Sequence, residues 1–254
     1  MVTKIATYQT KYNHASPKYA LTFMQTMSNI NGHSLHIMLL LIMINAIREK
    51  IETDVFDYQM LIGALSSYAK PRDKISSLLK LGHIISLRQG LYMFSEQLRR
   101  HPIVKEVIAG MLYGPSYISS DYALSHYGLI PEKVSAVTSV TIGRSRKFDT
   151  PVGRYTYEMI PQPAYSKGMD IVETNSGCYI IATPEKALTD KIALTRGLKI
   201  NSIAGMYSHL IDNMRIDVSE AAKLDTSQID EFCDVYQTVR LKYLPGAIRR
   251  IAGE

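Results

Sequence analysis

The chain has 254 residues, of which 46% are apolar and 20% are charged. This composition is typical of folded globular proteins and excludes the disordered class, which lacks enough apolar surface to form a core. The longest apolar run, residues 37–44, is too short to span a bilayer. Residues 1–34 lack the pattern of a signal peptide, so we expect a cytoplasmic protein without membrane contact.

The positive charge of the chain is concentrated in its first half. Residues 1–115 contain 13 Lys and Arg against 7 Asp and Glu, whereas residues 116–254 contain 16 of each. A basic half joined to a neutral half suggests that the first binds a polyanion and that the second has another role. We therefore predict two domains.

Three helices and a hairpin are predicted for the basic half. Thr53 or Asp54 is suited to cap the second helix, while Pro71 begins the third and Gly82 ends it. Gly90 is suited to the turn of the hairpin. Three helices followed by a hairpin are the element order of a winged helix-turn-helix. The predicted elements are helices over residues 36–52, 55–68 and 71–82 and strands over residues 83–87 and 91–94.

The third predicted helix has an apolar and a polar side. Ile75, Leu78 and Leu79 form an apolar stripe, which we expect to be buried. If the helix enters the major groove, its polar side and the hairpin tip contact bases and phosphates. A solvated helix face and an ordinary polar turn are the alternative interpretations. The candidate DNA-binding residues are Arg72, Lys74, Ser76, Ser77, Lys80, Arg88 and Gln89.

The second half alternates between helix and strand patterns. A connecting helix is predicted over residues 99–113, and a short helix capped by Ser119 follows it. Thr183 and Pro184 begin a further helix. Strands are predicted over residues 134–142, 154–160 and 178–182, and residues 200–243 are helical in pattern with an interruption at 212–218.

A basic turn is predicted over residues 143–153, with Asp149 as its acidic member. It is a candidate second surface for DNA, RNA or an acidic partner, although loop charges are more often simply solvated. The basic residues in and beside this turn are Arg144, Arg146, Lys147 and Arg154.

The chain contains no GxSxG, HExxH or P-loop motif, so no catalytic residue, metal site or cofactor is predicted. Cys178 and Cys233 lack metal-ligand spacing. Glu185 suits the start of a helix, and Lys186 with Asp190 is an i, i+4 pair, so a structural role explains these charges. The alternative to a binding protein is a nuclease-like enzyme delivered to DNA by the winged helix. Its candidate metal ligands, Glu158, Glu173 and Glu185, are dispersed in the sequence, which disfavours a shared site.

Four separated segments resemble the AbiEi family of type IV bacterial antitoxins. The run from Val55 to Phe94, with Gly90 and Tyr92 as a GxY pair, is similar to the winged helix of that family. YISSDYALSHYGLIPEKV, KFDTPVGRYTYEMI and YIIATPEKALTDKIAL resemble its antitoxin domain. The resemblance covers about residues 54–240.

The resemblance implies a repressor that binds inverted repeats upstream of its own operon, opposes a nucleotidyltransferase-like toxin without requiring a stable complex, and takes part in phage defence. A solitary regulator without a toxin is the further alternative. The predicted fold class is α+β, an N-terminal winged helix-turn-helix followed by a mixed α+β antitoxin domain with C-terminal helices. The predicted divisions are an unassigned arm or disordered segment over 1–35, a DNA-binding domain over 36–97, a connecting helix over 98–115 and an antitoxin domain over 116–254.

Overall fold

The computed structural model describes residues 42–253. The predicted arm, residues 1–35, and the start of the first predicted helix lie outside the described residues. Residues 42–50 are helical and belong to the first of two compact units of the chain, while residues 51–253 belong to the second.

Residues 42–253 have a mixed α+β fold with two separate sheets. The smaller sheet has three antiparallel strands in the order β1-β3-β2. The rings of Phe56 and Phe94 pack between two of its strands, with centroids 4.6 Å apart. The first five elements of the second unit are β1 (Val55–Asp57), α1 (Tyr58–Ala64), α2 (Pro71–Lys80), β2 (Ile84–Arg88) and β3 (Leu91–Phe94).

The prediction of a helix from Val55 to Tyr68 was wrong at both ends. Residues 55–57 form a strand because they pair with β3, and the helix begins only at Tyr58. Its cap is Asp57, whose carboxylate accepts the Met60 N–H at 2.8 Å. Asp54, which was predicted as a cap, instead accepts hydrogen bonds at its carboxylate from the backbone N–H groups of Arg100 and His101.

Helix α2 matches its prediction closely. It begins at Pro71, and Gly82 just beyond it has a φ of +71°, a left-handed conformation that glycine adopts without strain. Ile75 and Leu78 are buried, as predicted, and α2 contacts α1 and β2. Leu79 is only half-buried, contrary to prediction, because it lies at the margin of the apolar stripe.

A six-stranded mixed sheet dominates the rest of the chain, in the order β6-β7-β5-β4-β9-β8. Its strands are β4 (Ser116–Ile118), β5 (Val137–Thr141), β6 (Arg146–Thr150), β7 (Gly153–Met159), β8 (Met169–Thr174) and β9 (Gly177–Ala182). The α-helices are α3 (Lys105–Leu112), α4 (Ser120–His126), α5 (Gln162–Tyr165), α6 (Pro184–Leu194), α7 (Ile203–Ser208), α8 (Val218–Ala221), α9 (Thr226–Tyr236) and α10 (Leu244–Ala252). A π-helix (His209–Asn213) follows α7, and a 3-10 helix (Val239–Tyr243) precedes α10.

Two further predictions need correction here. The connecting helix begins at Lys105 rather than at Arg99, because Pro102 disfavours helical backbone at the residue before it. The predicted basic turn is mostly the edge strand β6, which pairs antiparallel with β7. Strands β4 and β8 were not predicted at all.

The hairpin of the small sheet and the large sheet share one buried apolar core. That core includes Leu87, Leu91 and Met93 of the hairpin together with Ile108 and Leu112 of α3. Helix α3 covers the sheet face that carries Tyr157, whose hydroxyl donates to the Ala109 carbonyl at 2.7 Å. The hairpin is therefore held in a defined position beside the large sheet.

Candidate nucleic-acid interface

Helix α2 presents one polar side to solvent. Arg72, Ser76, Ser77 and Lys80 are exposed, whereas Ile75 and Leu78 on the opposite side are buried. Asp73 in the first turn is the acidic member of the exposed side. The exposed side can therefore offer two cations and two hydroxyl groups to a ligand.

The two serine hydroxyls are engaged with their own helix. Ser76 donates to the Arg72 carbonyl at 3.2 Å, and Ser77 donates to the Asp73 carbonyl at 2.9 Å. Such bonds leave the hydroxyl oxygens free to accept, and a rotation about χ1 frees the protons as well. Both serines can therefore form hydrogen bonds with base edges.

Lys74 is less available than the sequence predicted. Its side chain is half-buried, and its ammonium lies 5.5 Å from the centre of the Tyr68 ring. A cation over an aromatic face gains electrostatic attraction from that face. Lys74 is therefore held at the flank of the helix, away from the centre of the exposed side.

The hairpin tip carries the other two predicted DNA contacts. Gly90 has a φ of +81°, as a tight turn requires, and Arg88 and Gln89 beside it are exposed. The pairing of β2 with β3 shifts register between Ser86 and Arg88. Such a bulge re-aims the side chains that follow it. The Arg88 guanidinium donates to the Gln89 carbonyl at 3.2 Å and so stays at the tip.

The second predicted surface is divided between two strands and the two faces of the sheet. Arg144, Arg146 and Lys147 are exposed in and before β6, whereas Arg154 lies on β7. The Arg154 guanidinium donates to the Asp149 carboxylate at 2.7 Å, and this bond raises the pKa of Arg154 further above its usual range. Arg154 is thus neutralised locally, and the other three cations carry the excess charge.

The charged pair of α6 is part of a buried network that the sequence did not predict. Lys186 and Asp190 form the expected i, i+4 ion pair, but both are fully buried. Asp190 accepts hydrogen bonds from Ser119 at 2.7 Å, Tyr117 at 3.2 Å and Tyr236 at 2.5 Å. Ser119 is the N-cap residue of α4, as predicted, but its hydroxyl donates to Asp190 and forms no capping hydrogen bond. The network joins α6 to β4 and α9.

The network strongly perturbs its titratable groups. Burial lowers the pKa of Lys186, and the neighbouring Asp190 opposes that change. Burial, followed by the charge of Asp190, raises the pKa of Tyr117 and of Tyr236. The Lys186 ammonium also lies 5.6 Å and 5.0 Å from the centres of these two rings. Because no part of the pair is exposed, we assign it a structural role.

Carboxylates are dispersed in the part of the chain that the structure describes. Within residues 42–253, no three His, Cys, Asp or Glu side chains converge to hold a metal ion. Glu158 lies on β7, Glu173 on β8 and Glu185 at the start of α6. Over the same residues, no helix is both long enough and apolar enough to cross a bilayer.

Comparisons with known proteins identify a shared fold and no family. No family model matches the chain, and a search of curated proteins found no match. Among solved structures, the RV2827C protein from Mycobacterium tuberculosis is similar, with a TM-score of 0.52 and 14% sequence identity. The similarity covers 84% of this chain and 79% of that one. At this level of identity the similarity concerns the fold alone.

Proposed function

We propose that this protein is a DNA-binding transcriptional repressor that contacts its operator with α2 and with the turn between β2 and β3. The observation that carries the proposal is the exposed polar side of α2. Arg72 and Lys80 lie there with two serines, and neither cation forms an ion pair within residues 42–253. Exposed cations beside hydroxyl groups fit phosphates and base edges.

The order and pairing of the elements support the same proposal. The helix over 42–50 is followed in the chain by β1, α1, α2 and the β2–β3 hairpin, which is the element order of a winged helix. In that fold the helix before the hairpin enters the major groove, and the hairpin tip lies against the backbone. Arg72, Lys80 and Arg88 are the proposed phosphate contacts, and Ser76 and Ser77 are the proposed base contacts.

Replacing Lys80 with Ala is expected to weaken operator binding while leaving the melting temperature unchanged. Lys80 is exposed and forms no ion pair in the described chain, so its removal costs no folding contact. Loss of one phosphate contact should reduce the slope of log affinity against log salt by about 0.9. Fluorescence anisotropy with duplex DNA from immediately upstream of the gene, at several salt concentrations, measures both quantities.

Lys199→Ala is the matched control, because Lys199 is an exposed lysine of the loop after α6. It should change neither affinity nor slope. If Lys80→Ala, Arg72→Ala and the two serine variants all bind as the wild type does, α2 is not the reading helix. Incubation of the same duplex with Mg²⁺ tests the enzymatic alternative, since cleavage would contradict a repressor without nuclease activity.

The α+β part of the chain is proposed to oppose a nucleotidyltransferase-like toxin, which makes the protein the antitoxin of a type IV system. This part of the proposal rests on the sequence segments that resemble the AbiEi family. One of these segments includes β7, and another ends with α6. A stable complex with the toxin is not required. A gene for a nucleotidyltransferase-like protein beside this one is expected.

The two activities should be separable in the full chain. An Arg72→Ala/Lys80→Ala double variant is expected to lose operator binding and still permit growth of cells that express the neighbouring toxin gene. The reason is that both substitutions lie on the exposed side of α2, far in sequence from the blocks assigned to the antitoxin role. Colony counts and an operon reporter, measured in the same strain, check both halves of the prediction. A folded double variant that fails to rescue growth would show that toxin opposition needs the winged helix.

A further inference from the structure

The hairpin tip lies beside the edge strand of the large sheet. Strand β2 contacts β6, although the two belong to different sheets. Burial raises the pKa of Tyr157, and its neighbour Tyr155 adds to that rise, but Arg88 is close enough to oppose it. Arg146 lies directly opposite Tyr157 in the β6–β7 pairing. Arg88 and Arg146 therefore both border Tyr157.

Register places Arg146 and Lys147 on opposite faces of the sheet. Directly opposed residues of an antiparallel pair project to the same face, and successive residues alternate. Arg146 thus shares the face of Tyr157, which the ring of Phe148 also contacts, with centroids 5.8 Å apart. Helix α3 covers this face at Tyr157, whereas Arg146 is exposed at its margin, on the edge strand. Lys147 is opposite Thr156 and shares the other face. Because Arg88 lies close to Tyr157, the hairpin tip lies on the side of the face that carries Arg146.

The cations at the hairpin tip and around the start of β6 lack carboxylate partners. Arg88, Arg144 and Arg146 are exposed, and within residues 42–253 none of them forms an ion pair. Asp149 is bound to Arg154, and the Glu158 carboxylate, on the face of Lys147, accepts a hydrogen bond from Ser145. Neighbouring like charges repel one another, and a polyanion that binds across them relieves this repulsion.

We propose that Arg88, Arg144 and Arg146, the wing–strand surface, bind the phosphate backbone of the DNA that flanks the contact of α2. This inference rests on the proposed function and extends it, because the large sheet then takes part in operator binding. Duplex DNA is favoured over RNA or an acidic protein because the surface is continuous with the hairpin tip. A duplex whose phosphate backbone lies against the hairpin tip would extend over the neighbouring strand β6.

Matched substitutions on the two faces of β6 test the proposal in the full-length protein. Arg146→Ala should weaken binding to a duplex with about ten extra base pairs on each side, and should reduce its salt slope by about 0.9. The same variant should bind a duplex trimmed to the α2 site as the wild type does. Lys147→Ala, with the same charge change on the other face, should bind both duplexes normally. Circular dichroism should show unchanged melting for both variants, because both side chains are exposed.

The outcomes separate this inference from the proposed function. If Arg144→Ala and Arg146→Ala leave the flanked duplex unaffected while Lys80→Ala weakens both duplexes, the wing–strand surface is refuted and the repressor stands. If Arg146→Ala and Lys147→Ala weakened duplex binding equally, the proposal would also be refuted, because binding would then not depend on the face of β6 that carries the cation. Loss of binding to single-stranded RNA or to polyglutamate, without loss of duplex binding, would assign the surface to another partner. If the wild type binds neither duplex, both proposals are wrong.

Discussion

Replacement of Asp190 with Ala is expected to lower the free energy of unfolding by about 3–5 kcal/mol, because it leaves the buried Lys186 ammonium without its counter-charge. Both side chains are fully buried, so solvent cannot take over the role of the lost carboxylate. Three hydroxyl groups also lose their acceptor, those of Tyr117, Ser119 and Tyr236. Urea unfolding followed by circular dichroism measures the loss.

A double variant distinguishes loss of the ion pair from loss of packing. Lys186→Met/Asp190→Leu removes both charges and fills the same space with apolar side chains. The double variant should therefore lose less free energy of unfolding than the summed losses of Lys186→Met and Asp190→Leu measured separately. Equal or greater cost would show that the charges themselves are not what matters. Thr189→Ala on the same buried helix is a control, because it removes a hydroxyl that bonds only its own helix, at the Glu185 carbonyl.

The Asp190→Ala variant should regain stability as pH rises. Burial lowers the pKa of Lys186 in the folded protein, and without Asp190 nothing in the pair opposes that shift. The folded state then binds fewer protons than the unfolded state, in which the pKa is close to 10.5, so the free energy of unfolding rises with pH up to that value. Unfolding curves at pH 7 and pH 9 should show the recovery, and a flat profile would contradict it.

Replacement of Leu78 with Ala is expected to cost about 2–5 kcal/mol, because the side chain is buried beneath α2 and its removal leaves a cavity. Leu78 is 1% exposed, and α2 contacts both α1 and β2. The variant should lose operator binding only at temperatures at which it unfolds. Binding measured well below the melting temperature should therefore approach that of the wild type.

Leu79→Ala is the matched control on the same helix. Leu79 is half-buried, so its replacement removes less apolar contact and should cost clearly less than Leu78→Ala. Thermal melts of the two variants compare them directly. If Leu79→Ala proved the more costly change, the orientation of α2 would differ from the one described.

Local signals in the sequence determine several elements of this protein without any tertiary contact. Pro71 and Gly82 bound α2, and Gly90 permits the hairpin turn through its positive φ. At α6, the hydroxyl of Thr183 accepts the Lys186 N–H at 3.3 Å, as a capping residue should. These features were predictable because proline geometry, glycine conformation and helix capping act between residues that are close in sequence.

Strand identity at Val55–Asp57 and at β6 was decided by tertiary structure. Three residues are too few to show alternation, and residues 55–57 become a strand only because β3 lies beside them. Strand β6 is polar on much of both faces, since it lies at the edge of the sheet that residues 42–253 form, with β7 as its neighbour. A sequence pattern reports which side chains are apolar, but pairing depends on which strand is near.

Burial of the Lys186–Asp190 pair was likewise beyond the sequence. The spacing of the two residues predicted the ion pair, but the partners that make its burial tolerable come from positions 46 to 73 residues away. The position of Arg88 close to Tyr157 has the same origin, because it depends on how the hairpin packs beside the large sheet. Sequence therefore determined the local elements and their polar sides, while long-range packing decided which charges are buried.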